Sequence, residues 1–205
     1  MKKLFVFLMA AMLGCTSVMA QQERSDHWSD HRNTISISGG YVSAFYLGKS
    51  LFAWIPAAAG HGREWKYYGN YGLQYMYQVK WWFRSGVKAN WEMDTYERYE
   101  NNKPEAAKVG RTTNHTMSLV ATMQFTYLNF PHVQLYSGLD LGVGAYLAHS
   151  TYLDETKSPT NNVSWLPAFN ITPIGVAFGC WDFFGYIETN LGYEAFAKAG
   201  IGFHF

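Results

Sequence analysis

The sequence predicts an all-β fold: an eight-stranded antiparallel up-and-down β-barrel that crosses a membrane. Three observations predict it. Apolar and polar residues alternate along most of the chain, short and long connections separate the alternating segments in turn, and the last apolar row ends on Phe205. A strand in hydrocarbon must pair along both edges, so its side chains alternate between lipid and the barrel interior. We therefore expect an apolar outer face and a polar interior.

The N-terminus carries the pattern of a secretory signal peptide. Lys2 and Lys3 precede an apolar run, Leu4 to Leu13, which is too short to span a bilayer. Val18-Met19-Ala20 follows as a small-residue cleavage site. Residues 1–20 are therefore predicted to be removed on export.

Two forms of the mature N-terminus are compatible with this segment. One is a lipidated Cys15, which follows Met12-Leu13-Gly14, although Met is an unusual first residue for that motif. The other, which we prefer, is cleavage after Ala20. It leaves residues 21–33 as a periplasmic leader and residues 34–205 as one barrel domain.

Charge and cysteine content exclude several classes of protein. Sixteen Lys and Arg stand against fifteen Asp and Glu, and two of the lysines leave with the signal. Because the cations are also scattered, we expect no nucleic-acid binding. Cys180 becomes the only cysteine, so neither an internal disulfide nor a multi-cysteine metal site can form. No mature segment reaches the ~20 apolar residues of a transmembrane helix.

The first three predicted strands are Thr34–Tyr46, Tyr71–Val79 and Phe83–Thr95. Ser and Gly weaken the pattern in the first, whereas tyrosines and Leu73 alternate with Gly and Gln in the second. In the third, an apolar row faces away from a polar row that no soluble core would accommodate. That polar row consists of Arg84, Lys88, Asn90, Glu92 and Asp94.

The fourth and fifth predicted strands, Thr113–Tyr127 and Val133–Ala148, have the longest regular alternation. In the fourth, Met, Leu, Ala and Phe oppose Asn, Ser, Thr and Gln. In the fifth, apolar residues occupy odd positions while Tyr136 and Asp140 occupy even ones. Both patterns have the period of two that is typical of a strand with unlike faces.

The last three predicted strands are Val163–Phe178, Phe183–Leu191 and Phe196–Phe205. In the first of these the apolar row changes parity at Pro173. A β-bulge at Thr172-Pro173 would account for the change, because it adds one residue to the strand and proline donates no ladder hydrogen bond.

The connections between predicted strands alternate in length. Short turns are expected at Lys80–Trp82, Asn129–His132 and Gly179–Asp182. The other connections are Gly48–Tyr68, Glu100–Arg111, Leu153–Asn162 and a tight Gly192–Ala195. With both termini in the periplasm, the short turns are periplasmic and the longer loops lie outside the cell.

Essentially the whole mature chain resembles a known family, through its pattern and its terminal residues and not through a catalytic signature. The segments that carry the likeness are Thr172-Pro173-Ile174-Gly175-Val176, Gly192-Tyr193-Glu194 and Ala199 to Phe205, together with Tyr75 to Gly86. They are similar to the small outer-membrane-protein β-barrel domain family of Gram-negative bacteria, with eight-stranded barrels of the OmpA and OmpX type. The resemblance implies a location in the cell outer membrane, but it implies no single activity.

The same resemblance implies partners. They are outer-membrane lipids and lipopolysaccharide, and the barrel-assembly machinery, for which Phe203 and Phe205 would form the C-terminal assembly signal. An external ligand is open. No cofactor and no metal are expected.

The polar interior row is the first place to look for function. The predicted lumen network consists of Arg84, Lys88, Glu92, Asp94, Asp140, Glu188 and Lys198. An eight-stranded barrel is just wide enough for side chains to fill it, and buried charges require partners. We expect a filled lumen of ion pairs, with a narrow pore or a proton path as the alternative.

An enzymatic role is a further alternative. Known enzymes of this architecture acylate or deacylate lipid A with His, Ser and a carboxylate. The candidates here are His115 with Ser118 and His149 with Ser150, but each pair points to opposite faces of its strand. Neither pair has the His-x-Ser spacing of the deacylases, which disfavours an enzyme while contacts between strands leave one open.

Three further patterns carry weaker signals. His27, Asp30 and His31 have helical i, i+4 spacing for a metal, in a segment that is expected to be a solvated leader. Gly142-Val143-Gly144 suggests a nucleotide loop, but no helix follows it, so we discard that interpretation. The aromatic residues of and after the first loop could bind a glycan or a host ligand, but we favour their assignment to an interfacial girdle, where Tyr and Trp are expected in any case. They are Trp54, Tyr67, Tyr68 and Tyr71.

The sequence therefore predicts an integral outer-membrane barrel with a filled polar lumen and a structural or surface-interaction role through its external loops. A small pore and a lipid A-modifying acyl hydrolase or transferase are the alternatives. A soluble barrel is disfavoured, because it would place charged rows such as Arg84 to Asp94 in solvent opposite apolar rows that end in aromatic residues.

Overall fold

A computed structural model describes residues 32–43, 65–99, 107–130, 132–153, 158–180 and 182–205. They form one closed antiparallel barrel in which each strand pairs with the next and β8 returns to β1. The prediction of an eight-stranded up-and-down barrel is confirmed. The strands are β1 (Asn33–Ser43), β2 (Trp65–Lys80), β3 (Phe83–Tyr99), β4 (Lys108–Asn129), β5 (Val133–Tyr152), β6 (Thr160–Cys180), β7 (Phe183–Gly192) and β8 (Ala195–His204).

Side chains alternate between an apolar outer face and a polar interior. On β4, Leu119 is 61% exposed, whereas Asn114 is fully buried. The interior contains mostly Asn, Gln, Ser, Thr and charged residues, with a small apolar cluster of Tyr136, Ala177, Phe184 and Tyr186. A surface this apolar around a polar core is the reverse of a soluble protein and matches a barrel immersed in hydrocarbon.

Several strands are longer than the sequence pattern predicts. β2 begins at Trp65 and not at Tyr71, β3 continues to Tyr99, and β6 begins at Thr160. Sequence alternation marks only the part of a strand with one face in lipid. Beyond the bilayer both faces meet water, so backbone pairing continues without an apolar row. The last predicted residues of the first strand, 44–46, lie outside the described residues.

The predicted bulge at Thr172-Pro173 is present. Thr172 pairs with Gly138 and Gly175 with Tyr136, so two residues of β6 oppose one of β5. The pairing with β7 shifts at the same place. The bulge allows the apolar row of β6 to change parity and still face outward.

The predicted signal peptide and leader lie outside the described residues, except for Arg32 and for Asn33, where β1 already begins. The described part of the chain includes no helix that is long and apolar enough to cross a bilayer.

Candidate functional site

The centre of the interior is an ion-pair network around Lys88 of β3. Its ammonium lies 2.6 Å from Asp140 Oδ2 of β5 and 2.9 Å from Glu194 Oε1, in the turn between β7 and β8. All three side chains are at most 3% exposed. Lys88 therefore links the two sides of the barrel through its interior.

Lys198 of β8 extends this network. Its ammonium lies 2.5 Å from Glu194 Oε2 and 3.0 Å from Glu188 Oε2. Tyr136 donates a hydrogen bond of 2.9 Å to the other oxygen of Glu188. The two lysines thus share Glu194, and each has a second carboxylate of its own. This matches the requirement that buried charges be paired and hydrogen-bonded.

Arg84 lies apart from the two lysines. It donates a hydrogen bond of 3.2 Å to Gln78 Oε1, and none of the described carboxylates is within salt-bridge distance of it. It lines a cavity of about 20 Å³ together with Gln124, Tyr186 and Glu188. That volume fits about one water molecule.

Glu92 and Asp94 lie further along β3 and interact with asparagines. Asn70 donates to Glu92 over 3.3 Å, and Asn114 donates to Asp94 over 2.7 Å. Of the seven predicted lumen residues, the ion pairs thus join four in one network: Lys88, Asp140, Glu188 and Lys198.

Sequence reasoning missed Glu194, the residue that joins the two lysines. The sequence predicts only a tight turn at residues 192–195, and in a turn the alternation of residues does not show which side chains point inward. The structure folds the turn over the lumen: Glu194 is 1% exposed, and Gly192 has a φ of 146°, which favours glycine.

The His and Ser candidates do not meet as catalytic pairs. His115 lies on the outer face, where Trp91 Nε1 donates to its Nδ1 over 3.3 Å, whereas Ser118 is buried and bonded to Asn90. His149 is exposed and its Nδ1 lies 2.6 Å from Asn161 Oδ1, while Ser150 contacts Thr112. A nucleophile and its base must be within hydrogen-bond reach, which neither pair achieves.

The other minor candidates are placed as follows. His27, Asp30, His31 and Trp54 lie outside the described residues. Within the described ranges, no group of three or more His, Cys, Asp or Glu could hold a metal ion. Gly144 is a strand residue whose missing side chain makes room for Tyr193, since a Cβ there would lie 2.5 Å from the tyrosine hydroxyl.

Three of the aromatic candidates, Tyr67, Tyr68 and Tyr71, lie in the first half of β2. Tyr67 packs edge-on against Tyr41, and Tyr71 stacks on Trp91 at 5.8 Å. Tyr68 is 45% exposed, and its hydroxyl accepts a hydrogen bond of 3.4 Å from Arg111. Amphipathic rings in this position are typical of an interfacial girdle.

The chain terminus closes the barrel. Phe205 and Asn33 exchange two backbone hydrogen bonds of 2.9 and 3.0 Å, next to the last pairs of β8 with β1. The Phe205 ring points outward and stacks against Phe203 at 6.2 Å. The side chains of the terminal aromatic row are thus presented to the surroundings rather than used in the interior.

Comparison with models of known protein families and with curated proteins gave no match. Solved structures with a similar arrangement include Ail, the attachment invasion locus protein of Yersinia pestis. It is 15% identical, the alignment covers 85% of this chain and 99% of Ail, and the TM-score is 0.44. Ail in complex with the heparin analogue sucrose octasulfate gives 16% identity, the same coverages and a TM-score of 0.45. The N-terminal β-barrel domain of Pseudomonas aeruginosa OprF gives 15% identity, coverages of 86% and 100%, and a TM-score of 0.39.

The location follows from the surface of the barrel itself. Exposed Leu, Ile, Val and Phe encircle it, and the backbone of every strand is paired around a closed ring. Such a belt is stable against hydrocarbon, and closed barrels of this type occupy outer membranes. The chain therefore has the fold of the small eight-stranded barrels of the Gram-negative outer membrane.

Proposed function

We propose that the protein is a surface-interaction protein. Its binding surface is the edge of β6 at residues 160–168, which extends beyond the end of β7. The two shortest hairpin strands, β7 and β8, have 10 residues each, about the length that crosses a bilayer. β4, β5 and β6 have 20 to 22 residues. Their additional residues therefore project from the outer surface as a sheet.

The observation that carries the proposal is the unequal pairing of β6. Residues 160–168 lie against β5, but β7 pairs with β6 only from Asn170 onward. The last bond to the β7 side runs from Tyr193 N to Phe169 O. Among the described residues, no strand pairs with the other edge of this segment. An open edge of this length is a template for an added strand from a partner.

The strand register shows which backbone N–H and C=O groups point toward the unpaired side of β6. The carbonyl of Phe169 points away from β5, and alternation places the N–H and C=O groups of Val163 and Trp165 on the same free side. Pro167 belongs to the same set and donates no bond, which is tolerated only at an edge. Trp165, at 74% exposed, offers an aromatic anchor beside these groups.

The filled interior supports this interaction role over conduction. Lys88, Lys198 and their carboxylates occupy the lumen, and the cavity beside Arg84 fits about one water. The separation of His115 from Ser118, and of His149 from Ser150, likewise supports a non-catalytic role.

The test uses an array of synthetic extended peptides and the labelled, detergent-folded protein. Val163→Pro removes one N–H from the free edge and leaves the bonds to β5 in place, whereas Val163→Ala removes the side chain and keeps the N–H. We expect peptides that bind the wild type to lose binding to the Pro variant and to keep it with the Ala variant. Equal binding by both variants, or no peptide bound by the wild type, would count against the edge.

A further inference from the structure

A basic cluster lies on the outer wall of the barrel, just above the aromatic residues of β2 and β3. It consists of Lys66 of β2 and Lys108 and Arg111 of β4, all of them exposed. In the pairing register Lys66 faces Thr95, and Arg111 faces Glu97, so these side chains share the outward face of three adjacent strands. Within the described parts of these strands, Glu97 is the carboxylate on this face.

The cluster has an excess of positive charge. Lys108 forms an ion pair with Glu97, whose pKa is lowered chiefly by the hydrogen bond from Lys108. No described carboxylate lies within salt-bridge distance of Lys66 or Arg111. Lys66 also contributes to the lowered pKa of Glu97, but within the described ranges neither Lys66 nor Arg111 is held in a salt bridge, so both can attract an anion.

A β-bulge shapes the centre of the cluster. Tyr67 pairs with Asp94 and Gly69 with Met93, so Tyr68 is an extra residue in β2. Gly69 has a φ of 108°, a left-handed value that glycine adopts readily. The bulge directs Tyr68 outward, where its hydroxyl meets Arg111 at 3.4 Å.

The level of the cluster relative to the membrane follows from strand length. Counted from the periplasmic turn, Tyr71 and Trp91 are near the end of the roughly 9 to 11 residues that cross a bilayer. They stack on one another, and Trp91 also stacks on His115 at 6.0 Å. Lys66 lies beyond Tyr71 on β2, and Arg111 lies beyond His115 on β4, both further from the periplasmic turns. This position corresponds to the level of the outer-leaflet headgroups.

Among the described residues, the outward cations of this half of the barrel lie on β2 and β4. The described residues of β5, β6 and β7 include no Lys or Arg, and the one lysine of β8, Lys198, points into the lumen. Within the described residues, these cations form one group above stacked rings, which has the form of a site for one lipid.

We propose that Lys66 and Arg111, assisted by Tyr68, bind the phosphates of a lipid A molecule in the outer leaflet. Arg111 supplies planar donors and Lys66 a point charge, the two forms of phosphate recognition that side chains use. The acyl chains lie against Tyr71, Trp91 and the apolar wall beneath them. This lipid site is separate from the free edge of β6 and does not depend on the proposed function.

The test is native mass spectrometry of the detergent-folded protein with lipid A. The variant is Lys66→Gln with Arg111→Gln, and the matched control is Arg32→Gln with Lys80→Gln, which removes two exposed cations from the periplasmic end. Each cation near an anionic membrane surface contributes about a fivefold change in binding, so we expect the double variant to retain lipid A about 25-fold less. The control should equal the wild type.

Two further measurements test whether the site recognises the phosphates of the lipid. Lipid A with its phosphates removed should be retained as weakly by the wild type as the intact lipid is by the double variant. Glu97→Gln, which removes the neutralising carboxylate, should increase retention, a gain that damage to the fold cannot produce. Heat-modified mobility on a gel reports folding of each variant.

The following results would overturn the proposal. They are equal retention by the wild type and the double variant, equal retention of the dephosphorylated lipid, an equal loss in the Arg32 and Lys80 control, or a fall with Glu97→Gln. Release of lipid A by inorganic phosphate at millimolar concentration would assign the site to free phosphate instead of a lipid.

Discussion

Lys88 of β3 and Glu194 of the β7–β8 turn are 2.9 Å apart inside the barrel, so a turn residue neutralises a strand residue on the opposite wall. The same carboxylate also binds Lys198 at 2.5 Å and accepts a hydrogen bond from Asn90. Glu194 is thus the point at which the interior network is joined, and the turn that carries it is held over the lumen.

Replacing Glu194 with Gln should destabilise the barrel. Lys88 and Lys198 would each keep one carboxylate but lose the shared one, and breaking a buried pair costs about 3 kcal/mol. Urea unfolding of the protein in lipid vesicles measures the loss. The control is Glu97→Gln, which breaks the exposed pair with Lys108 and should cost less than about 1 kcal/mol. Equal losses would show that the interior pair contributes no more than a surface pair.

The wild-type protein should be silent in planar lipid bilayers. Its described lumen is occupied by paired side chains, and a cavity of about 20 Å³ next to Arg84 offers no continuous water path. Single-channel recording of detergent-purified protein, with a known porin as the positive control, makes the measurement. Stable, salt-dependent current steps would contradict the filled lumen and support the pore alternative.

Gly175→Ala should weaken the fold, because the ring of Tyr136 occupies the space beside that glycine. A Cβ at residue 175 would lie 2.2 Å from Tyr136 Cε2, and the ring is held by its bond to Glu188. Overpacking of this kind costs about 1 to 3 kcal/mol.

The matched control for this variant is Gly39→Ala on the outer face. There a Cβ would make only an ordinary contact of 3.9 Å with Tyr71. Urea unfolding should show a clear loss for Gly175→Ala and little change for Gly39→Ala. A similar change in both variants would mean that loss of glycine, not the Tyr136 ring, sets the effect.

Phe205→Asp should reduce assembly in cells more than folding in detergent. The backbone of Phe205 closes the barrel against Asn33, whereas its ring is 50% exposed and points outward. The ring is therefore available to the assembly machinery, as the family resemblance implies. The measurement compares outer-membrane levels with refolding yield.

Phe183→Asp is the control for this prediction, since Phe183 is an exposed ring on the same rim, paired with Phe203 but distant from the terminus in sequence. If Phe205→Asp reached normal outer-membrane levels, or if both variants fell equally, a specific terminal signal would be excluded.

Much of the architecture could be predicted because a membrane barrel has an unusually simple sequence rule. Lipid on one face and a polar lumen on the other impose a period of two, and the residues predicted to point inward, such as Arg84, Lys88 and Asp140, are buried. The change of parity at Pro173 correctly indicated a bulge, whereas the bulge at Tyr68 lies outside the alternating segment of β2 and was not predicted.

The sequence by itself determined the strand number, the strand order and the inward or outward direction of most side chains. Only the tertiary structure decided which buried charges meet, because partners such as Lys88 and Glu194 lie on strands that are not neighbours. It also decided how far each strand extends beyond the membrane, because strands that pair in water need no alternation of apolar and polar residues. The unequal pairing of β6 with β5 and β7, and the positions of Lys66 and Arg111, both arise from those differences in strand length and from register between strands.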